Sequence, residues 1–329
     1  MRNKKKSKPL WIVLAIDLLI IAVYVGGFYI AYYRVPRQLD SANIQTVAAS
    51  QSGSNEIINQ ESDELVSKDT VFDKTVSDET STEEVVSTDT SYTSENISIH
   101  VEQYTQGTGK DTITYYVADV YLKEITSLQS GFADNTYGVG YTDTVLEMDE
   151  DLAAILAING DYYGNGNNGV VIRNGVVYRD NSSGLDVCVL YSDGTMKTYS
   201  ADEFDAEQAV KEGAWQAWCF GPELLDESGN SMTSFTTDSH IAKTNPRSAI
   251  GYYEPGHYCF VVVDGRQSGY SKGMTLVELS QLMKELGCTA AYNLDGGKSS
   301  SMTFHDVEVN RPCDGGREVS DCILIKEVE

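Results

Sequence analysis

Histidine is scarce in this chain of 329 residues, with only four, and there are only six prolines. No H-E-x-x-H segment, C-x-x-C pair or EF-hand loop occurs, so the common zinc and calcium frameworks lack ligands at the spacing they need. His100, His240, His257 and His305 each read as surface or strand residues, with His240 the best exception because it lies shortly before Pro246-Arg247. Basic residues are also few. Against 49 Asp and Glu there are 24 Lys and Arg, a formal net charge of −25, which lacks the basic footprint that nucleic-acid phosphates demand and excludes that partner. Two standard motifs fail by one residue each. Gly296-Gly297-Lys298-Ser299 ends like a P-loop, but Tyr292 stands where its first glycine belongs. Ser301 occupies the last glycine position of a G-x-S-x-G elbow.

Only one long apolar run is present. Residues 10–33, interrupted by Asp17 alone, are long enough to cross a hydrocarbon core of about 30 Å as a helix. Residues 1–9 are basic and the chain turns acidic after Arg37, which predicts a cytoplasmic N-terminus and an extracellular remainder in a single-pass topology. The run exceeds a signal-peptide core and no A-x-A-like site follows, favouring an uncleaved anchor. Residues 34–95 are rich in Ser, Thr, Asp and Glu and hold only two aromatics, Phe72 and Tyr92, so they read as a disordered acidic linker. Such a tether lets a distal domain range over some ~40 Å and reach a surface polymer. All six cysteines lie in that domain, where an exterior location permits disulfides. Cys313 and Cys322 are the one pair close enough in sequence to suggest a bridge, and the others read equally well as buried small hydrophobes.

Residues 96–329 read as one large domain of mixed α/β class, with antiparallel hairpins and a C-terminal βαβ unit. Ile97–Tyr104 and Thr112–Leu122 alternate across Gly107-Thr108-Gly109 as a strand pair. Residues 169–173 and 176–178 flank Asn174-Gly175, a strong hairpin signal because both turn positions require positive φ. A third pair, 186–191 and 195–199, meets at Asp193-Gly194. Farther on, Tyr258–Val263 is continuously apolar, as for a strand buried on both faces, and ends in Asp264-Gly265-Arg266. Thr275 and Glu278 form a capping box before leucines at 276, 279, 282 and 286, and Gly287 stops the helix. Residues 289–294 form a second apolar strand ending in Asp295-Gly296-Gly297. Parallel strands place both acidic ends at one sheet edge, where ligands bind in open α/β sheets. A third strand, Ile155–Ile158 after the helix-like Met148–Ala154, ends in Asn159-Gly160-Asp161 and is expected to converge there.

These ends supply carboxylates suited to general-base, nucleophilic or metal-binding work: Asp295, Asp264 and Asp161. Arg247 and Arg266 can clamp a phosphate through their planar forks. The turn Gly296-Gly297-Lys298-Ser299-Ser300-Ser301 offers backbone N–H groups and hydroxyls to an anion.

Asn159-Gly160-Asp161-Tyr162-Tyr163, Phe220-Gly221-Pro222, the segment Pro246–Gly251, Val263-Asp264-Gly265-Arg266, the helix and the run Asn293–Ser300 follow one another in an order that resembles the phosphodiester glycosidases. That family includes the N-acetylglucosamine-1-phosphodiester α-N-acetylglucosaminidases and bacterial proteins labelled exopolysaccharide biosynthesis proteins. The resemblance spans about residues 97–327. Two positions depart from the family pattern: Asp161-Tyr162-Tyr163 replaces Gly-Phe-Phe, and Lys298 replaces a frequent glycine. The resemblance implies hydrolysis of a sugar joined through its anomeric carbon to a phosphodiester, in envelope or exopolysaccharide metabolism. It implies no required cofactor and leaves a divalent cation on the aspartates open. On this basis Arg247 and Arg266 are expected to hold phosphate and Asp295, with Asp264 or Asp161, to serve the anomeric carbon. Asn159 and Asn293 would hold sugar hydroxyls or orient the carboxylates, and Gly296, Gly297, Ser299 and Ser300 would line the anion turn. A non-catalytic module for anionic glycopolymers and a metal-dependent phosphodiesterase are the alternative readings.

Overall fold

The alternation of side chains along the central strands decides how the layers stack. In Arg247–Glu254, His257–Val263 and Ala290–Asn293, the residues Ile250, Phe260, Val262 and Tyr292 join one apolar cluster, while Ala249, Cys259, Val261 and Ala291 join another. Both faces of this sheet are therefore covered, which is why Tyr258–Val263 carries no polar residue. The computed structural model describes residues 21–25, 37–38, 85–181, 183–200 and 204–328.

Three sheets make the body, as a mixed α/β domain with mostly antiparallel strands and few helices. The first has seven strands in the order 290–293, 247–254, 257–263, 113–122, 97–106, 91–93, 86–87. Its back face packs on the helix Leu276–Glu285 through Leu276, Leu279, Leu282 and Met283. Its front face packs against the other two sheets, which contribute Leu156, Ile158, Phe304 and Ile323 on one side and Cys188, Leu190 and Trp218 on the other. The second sheet runs 307–308, 302–304, 156–159, 321–325, 128–132, and the third 176–181, 169–173, 214–218, 187–191, 196–199.

The expected hairpins are present. Ile97–Gln106 pairs with Ile113–Leu122, and Val187–Tyr191 with Met196–Tyr199. Asn174 and Gly175 both take positive φ, 52° and 75°, as a two-residue hairpin turn requires. The capping box is formed, with the Thr275 hydroxyl accepting from the Glu278 N–H and the Glu278 carboxylate accepting from the Thr275 N–H. The helix before the strand Leu156–Asn159, Val145–Leu152, begins earlier than the expected Met148 because Thr144 and Glu147 form a second capping box.

The βαβ reading holds in direction and needs one correction in neighbourhood. His257–Val263 and Ala290–Asn293 are parallel, but Arg247–Glu254 lies between them and pairs antiparallel with both. A polar start at Pro246-Arg247 hides this strand's place between the two from sequence periodicity.

The domain also begins earlier than residue 96. Val86–Ser87 and Ser91–Thr93 extend the first sheet, and buried Tyr92 donates its hydroxyl to Glu327 at 3.0 Å. One aromatic in an acidic stretch is enough to anchor this edge because the backbone pairing does the rest. Residues 39–84 of the expected linker lie outside the described residues. So does the expected membrane span at 10–33, except for the exposed helical residues 21–25. Among the described residues no helix is long and apolar enough to cross a membrane. The Cys313–Cys322 bridge is absent, and all six cysteines are free thiols.

Leu279→Ala would empty a fully buried site between helix and sheet, and a loss of about 2–5 kcal/mol is expected from chemical denaturation.

Candidate active site

Two sheet edges meet at Asn159. This residue ends the strand Leu156–Asn159 in the second sheet and is fully buried. Its Nδ2 donates to the Asp295 carbonyl at 2.8 Å and to the Gly160 carbonyl at 3.1 Å. Its Oδ1 accepts from the Ser248 hydroxyl at 2.7 Å and the Ser301 N–H at 3.4 Å. The strand ends expected to converge therefore do so, and one amide side chain ties them. The expectation that Asn159 holds a sugar hydroxyl is corrected, because its hydrogen-bonding groups are already engaged by the protein.

Asp264 forms the second tie. It is 1% exposed, and its carboxylate accepts from Asn310 Nδ2 at 2.8 Å, the Tyr270 hydroxyl at 2.8 Å and the Arg311 N–H at 3.0 and 3.1 Å. Asn310 in turn accepts from the Met302 N–H, linking the end of one sheet to a strand of the other. Burial pushes the Asp264 carboxyl up from its ordinary value, and these donors oppose the shift. At 1% exposure and held by uncharged donors alone, Asp264 organises the site's frame.

Asp161 is buried as well. It accepts from the Tyr163 and Cys219 N–H groups and lies 3.0 Å from the Arg173 guanidinium, which also meets Asp321 at 2.8 Å. Two carboxylates around one buried cation form a closed unit, in which burial raises Asp321 to about 8. The family departure at Asp161 thus has a partner in Arg173. Gly160, the preceding residue, must lack a side chain, since a Cβ there would lie 2.4 Å from the Asp321 carboxylate.

Asp295 differs from both. Its Oδ1 accepts from the Gly296 N–H at 2.9 Å, and its Oδ2 accepts from the Ser299 hydroxyl at 2.6 Å and from Arg317 Nη2 at 2.5 Å. Arg317 forks between them, giving Nε to Ser299 Oγ at 2.6 Å, and its guanidinium lies 4.8 Å over the Tyr162 ring. The Arg317 side chain is 38% exposed, so this carboxylate's cation faces solvent. Burial raises the Asp295 carboxyl, and Arg317 and Ser299 pull against that shift.

The remaining expected residues divide. Arg266 is exposed, with φ at +57°; its Nη2 donates to Asn245 Oδ1 at 2.7 Å, and it lies over Gly297. Lys298 pairs with Asp314 at 3.0 Å. Arg266, Lys298 and Arg317 thus surround the turn Gly296–Ser300. Arg247 does not join them. It is 2% exposed and donates to the carbonyls of Met274, Ile241 and Lys243. Burial, with the neighbouring Arg266 charge, lowers it to about 10. The reason is parity: Ser248 points to Asn159, so Arg247 and Ala249 point to the helix face. Asn293 donates to the Gly221 carbonyl at 2.7 Å, while its buried Oδ1 has no hydrogen-bond partner among the described residues, and neither does the buried Ser300 hydroxyl.

A cleft of about 560 Å³ opens beside this edge, lined by Tyr162, Asn168, Phe220, Thr237, Asp238 and others, with no Lys or Arg in its wall. Tyr162 is shared between the cleft and Arg317. Arg247 holds Ile241, another wall residue, in place. Sequence reasoning missed Arg317, Tyr162, Asn310 and Arg173. Arg317 follows Gly315-Gly316, a local signal that a loop presents it, but nothing local connects it to Asp295.

Fold and site together define a mixed α/β domain with a carboxylate–arginine pair at a shared sheet edge beside a cleft whose wall holds no cation. A family model described as phosphodiester glycosidase matches residues 153–326, more than half of the chain, and the chain belongs to that family. It is 34% identical over 196 residues to the SPbeta prophage-derived uncharacterized protein YomE of Bacillus subtilis (strain 168). That alignment covers 57% of this chain and 30% of YomE, so the chain spans less than a third of that relative. Among solved structures, it is similar to the catalytic domain of zebrafish N-acetylglucosamine-1-phosphodiester alpha-N-acetylglucosaminidase, auto-inhibited by its pro-peptide. The TM-score is 0.57 at 18% identity, over 71% of this chain and 85% of that one, which shows a shared fold.

Arg247→Gln should lower stability by about 1–3 kcal/mol, because it strips three carbonyls of a charged donor. Arg266→Gln, exposed, should leave the unfolding midpoint within error; denaturant titration of both variants separates the roles.

Proposed function

We propose that the domain hydrolyses a glycosyl-1-phosphodiester, releasing the sugar, with Asp295 acting at the anomeric carbon. The observation that carries this reading is the Asp295–Arg317–Ser299 unit, a buried carboxylate whose cation is open to solvent at the rim of the cleft. The family membership supports the reaction class, and the zebrafish protein's named activity supports the choice of probe.

The division of labour follows from charge. The cleft wall holds hydroxyls, amides, aromatic faces and one carboxylate, Asp238, and no cation, which suits a hydroxyl-rich sugar better than an anion. Tyr162, 42% exposed, offers a stacking face to a sugar ring. Arg317 stacks on Tyr162 and, with Arg266 and Lys298 at the turn Gly296–Ser300, suits the phosphodiester. As the glycosidic C–O bond breaks, negative charge builds on the leaving phosphate, which these cations stabilise, so a strong general acid is not needed. Asp295 then either takes a proton from the attacking water or bonds to the anomeric carbon before water does, and both routes need its charged form. The N-terminal run 10–33 would hold the domain outside a membrane, within reach of surface glycosyl phosphates.

With an N-acetylglucosamine-1-phosphodiester as probe, Asp295→Asn should reduce release of reducing sugar by roughly 100-fold or more while the chain stays folded. Near-normal turnover would remove Asp295 from the chemistry, and a sugar phosphate product would show cleavage at phosphorus instead. Because burial raises Asp295, the acid limb of kcat/KM should lie above the ordinary carboxylate range. Arg317 favours the charged form, so Arg317→Gln should move that limb to still higher pH as well as lower the plateau.

A further inference from the structure

Two thiols far from the cleft stand against one another in the core. Cys259 lies in the strand His257–Val263 and Cys288 in the turn between the helix Leu276–Glu285 and the strand Ala290–Asn293. Their sulfurs are 3.6 Å apart and 29 residues separate them in sequence. Cys259 is 0% exposed and Cys288 4%. The strand between them makes the room: Gly251 pairs with Cys259 on one side and Ala291 on the other. A Cβ on Gly251 would lie 2.6 Å from the Cys259 sulfur and 2.7 Å from that of Cys288, so the two side chains meet over the one position in this strand without a side chain. No other pair of the six cysteines makes a comparable sulfur–sulfur contact among the described residues.

We propose that Cys259 and Cys288 are a cross-linking site, closed as a disulfide by a small-molecule or protein disulfide oxidant. One cysteine thiolate attacks the oxidant's S–S bond and displaces a thiolate; the second attacks the mixed disulfide and displaces the other. Two protein thiols are oxidised, one external disulfide is reduced to two thiols, and the two protons pass to solvent or to the departing thiolates. The sulfurs sit about 1.5 Å farther apart than bonded ones, and Gly251 leaves the space between them free of a side chain of its own. The neighbouring Cys288 thiol and burial raise the Cys259 thiol well above its usual range, so the bond forms during folding or local opening rather than by attack on the closed core. Its position gives it a role. From these cysteines the two parallel strands run to Asp264 and Asp295, so the bond staples the unit that sets the spacing of the site's frame and its carboxylate.

The full chain is unfolded in reductant, refolded in a reduced/oxidised glutathione couple, alkylated, digested and mapped by mass spectrometry. A bridged Cys259–Cys288 peptide is expected, with Cys188, Cys219, Cys313 and Cys322 alkylated. Mapping of natively isolated chain after long incubation with oxidised glutathione should give the same bridge. Oxidised chain should melt about 5–10 °C above chain refolded in reductant. The Cys259→Ala/Cys288→Ala double variant should show no such difference between preparations. Alkylation of both residues in folded, oxidised chain, a bridge between another pair, or a difference that survives in the double variant overturns the assignment.

Discussion

The site depends on the way Asn159 is used up. Its amide spans the gap between two sheets, giving hydrogen bonds to the Asp295 carbonyl and taking them from Ser248 and Ser301. A buried amide left unpaired costs roughly 1–3 kcal/mol per group, so the sheets are held at the separation that satisfies it. Asp264 and Asn310 repeat the device a few residues away. The edge proposed to carry the chemistry is therefore clamped at two points, and Asp295 is fixed in position through its backbone.

Charge is distributed around this edge according to exposure. Asp161 and Asp321 close on Arg173 inside the protein, where no solvent path is needed. Asp264 is satisfied by uncharged donors. Asp295 alone of the three strand-end aspartates is paired with a cation exposed to solvent, and that cation rests on an aromatic ring at the mouth of the cleft. A carboxylate sealed on all sides can organise a fold but cannot meet a substrate. The same distinction separates the arginines, since Arg247 is spent on carbonyls and Arg266 faces outward.

Much of the framework was legible because it rests on local chemistry. Asn174-Gly175 specifies its turn, Thr275 and Glu278 specify a helix start, and the short run Tyr258–Val263, without polar residues, suits a strand covered on both faces. The convergence of Asp264 and Asp295 followed from the parallel direction of their strands, which survives the insertion of Arg247–Glu254 between them. Roles were less legible. Asn159 and Arg247 stand in motifs of the same kind as those of Asp295 and Arg266, and their residue types suit a ligand as well as they suit a scaffold.

By itself the sequence determined the hairpins, the capped helix, the apolar strands, the excess of negative charge and the set of polar residues at strand ends. Each of these depends on neighbours within a few positions, where backbone geometry and side-chain period act directly. Only the tertiary structure decided that Arg317 reaches Asp295 across 22 residues, that Arg247 turns to the helix face, and that Cys259 meets Cys288 over Gly251. Those outcomes depend on which strands become neighbours and which face each residue takes, and both are fixed by burial across the whole domain rather than by any local stretch.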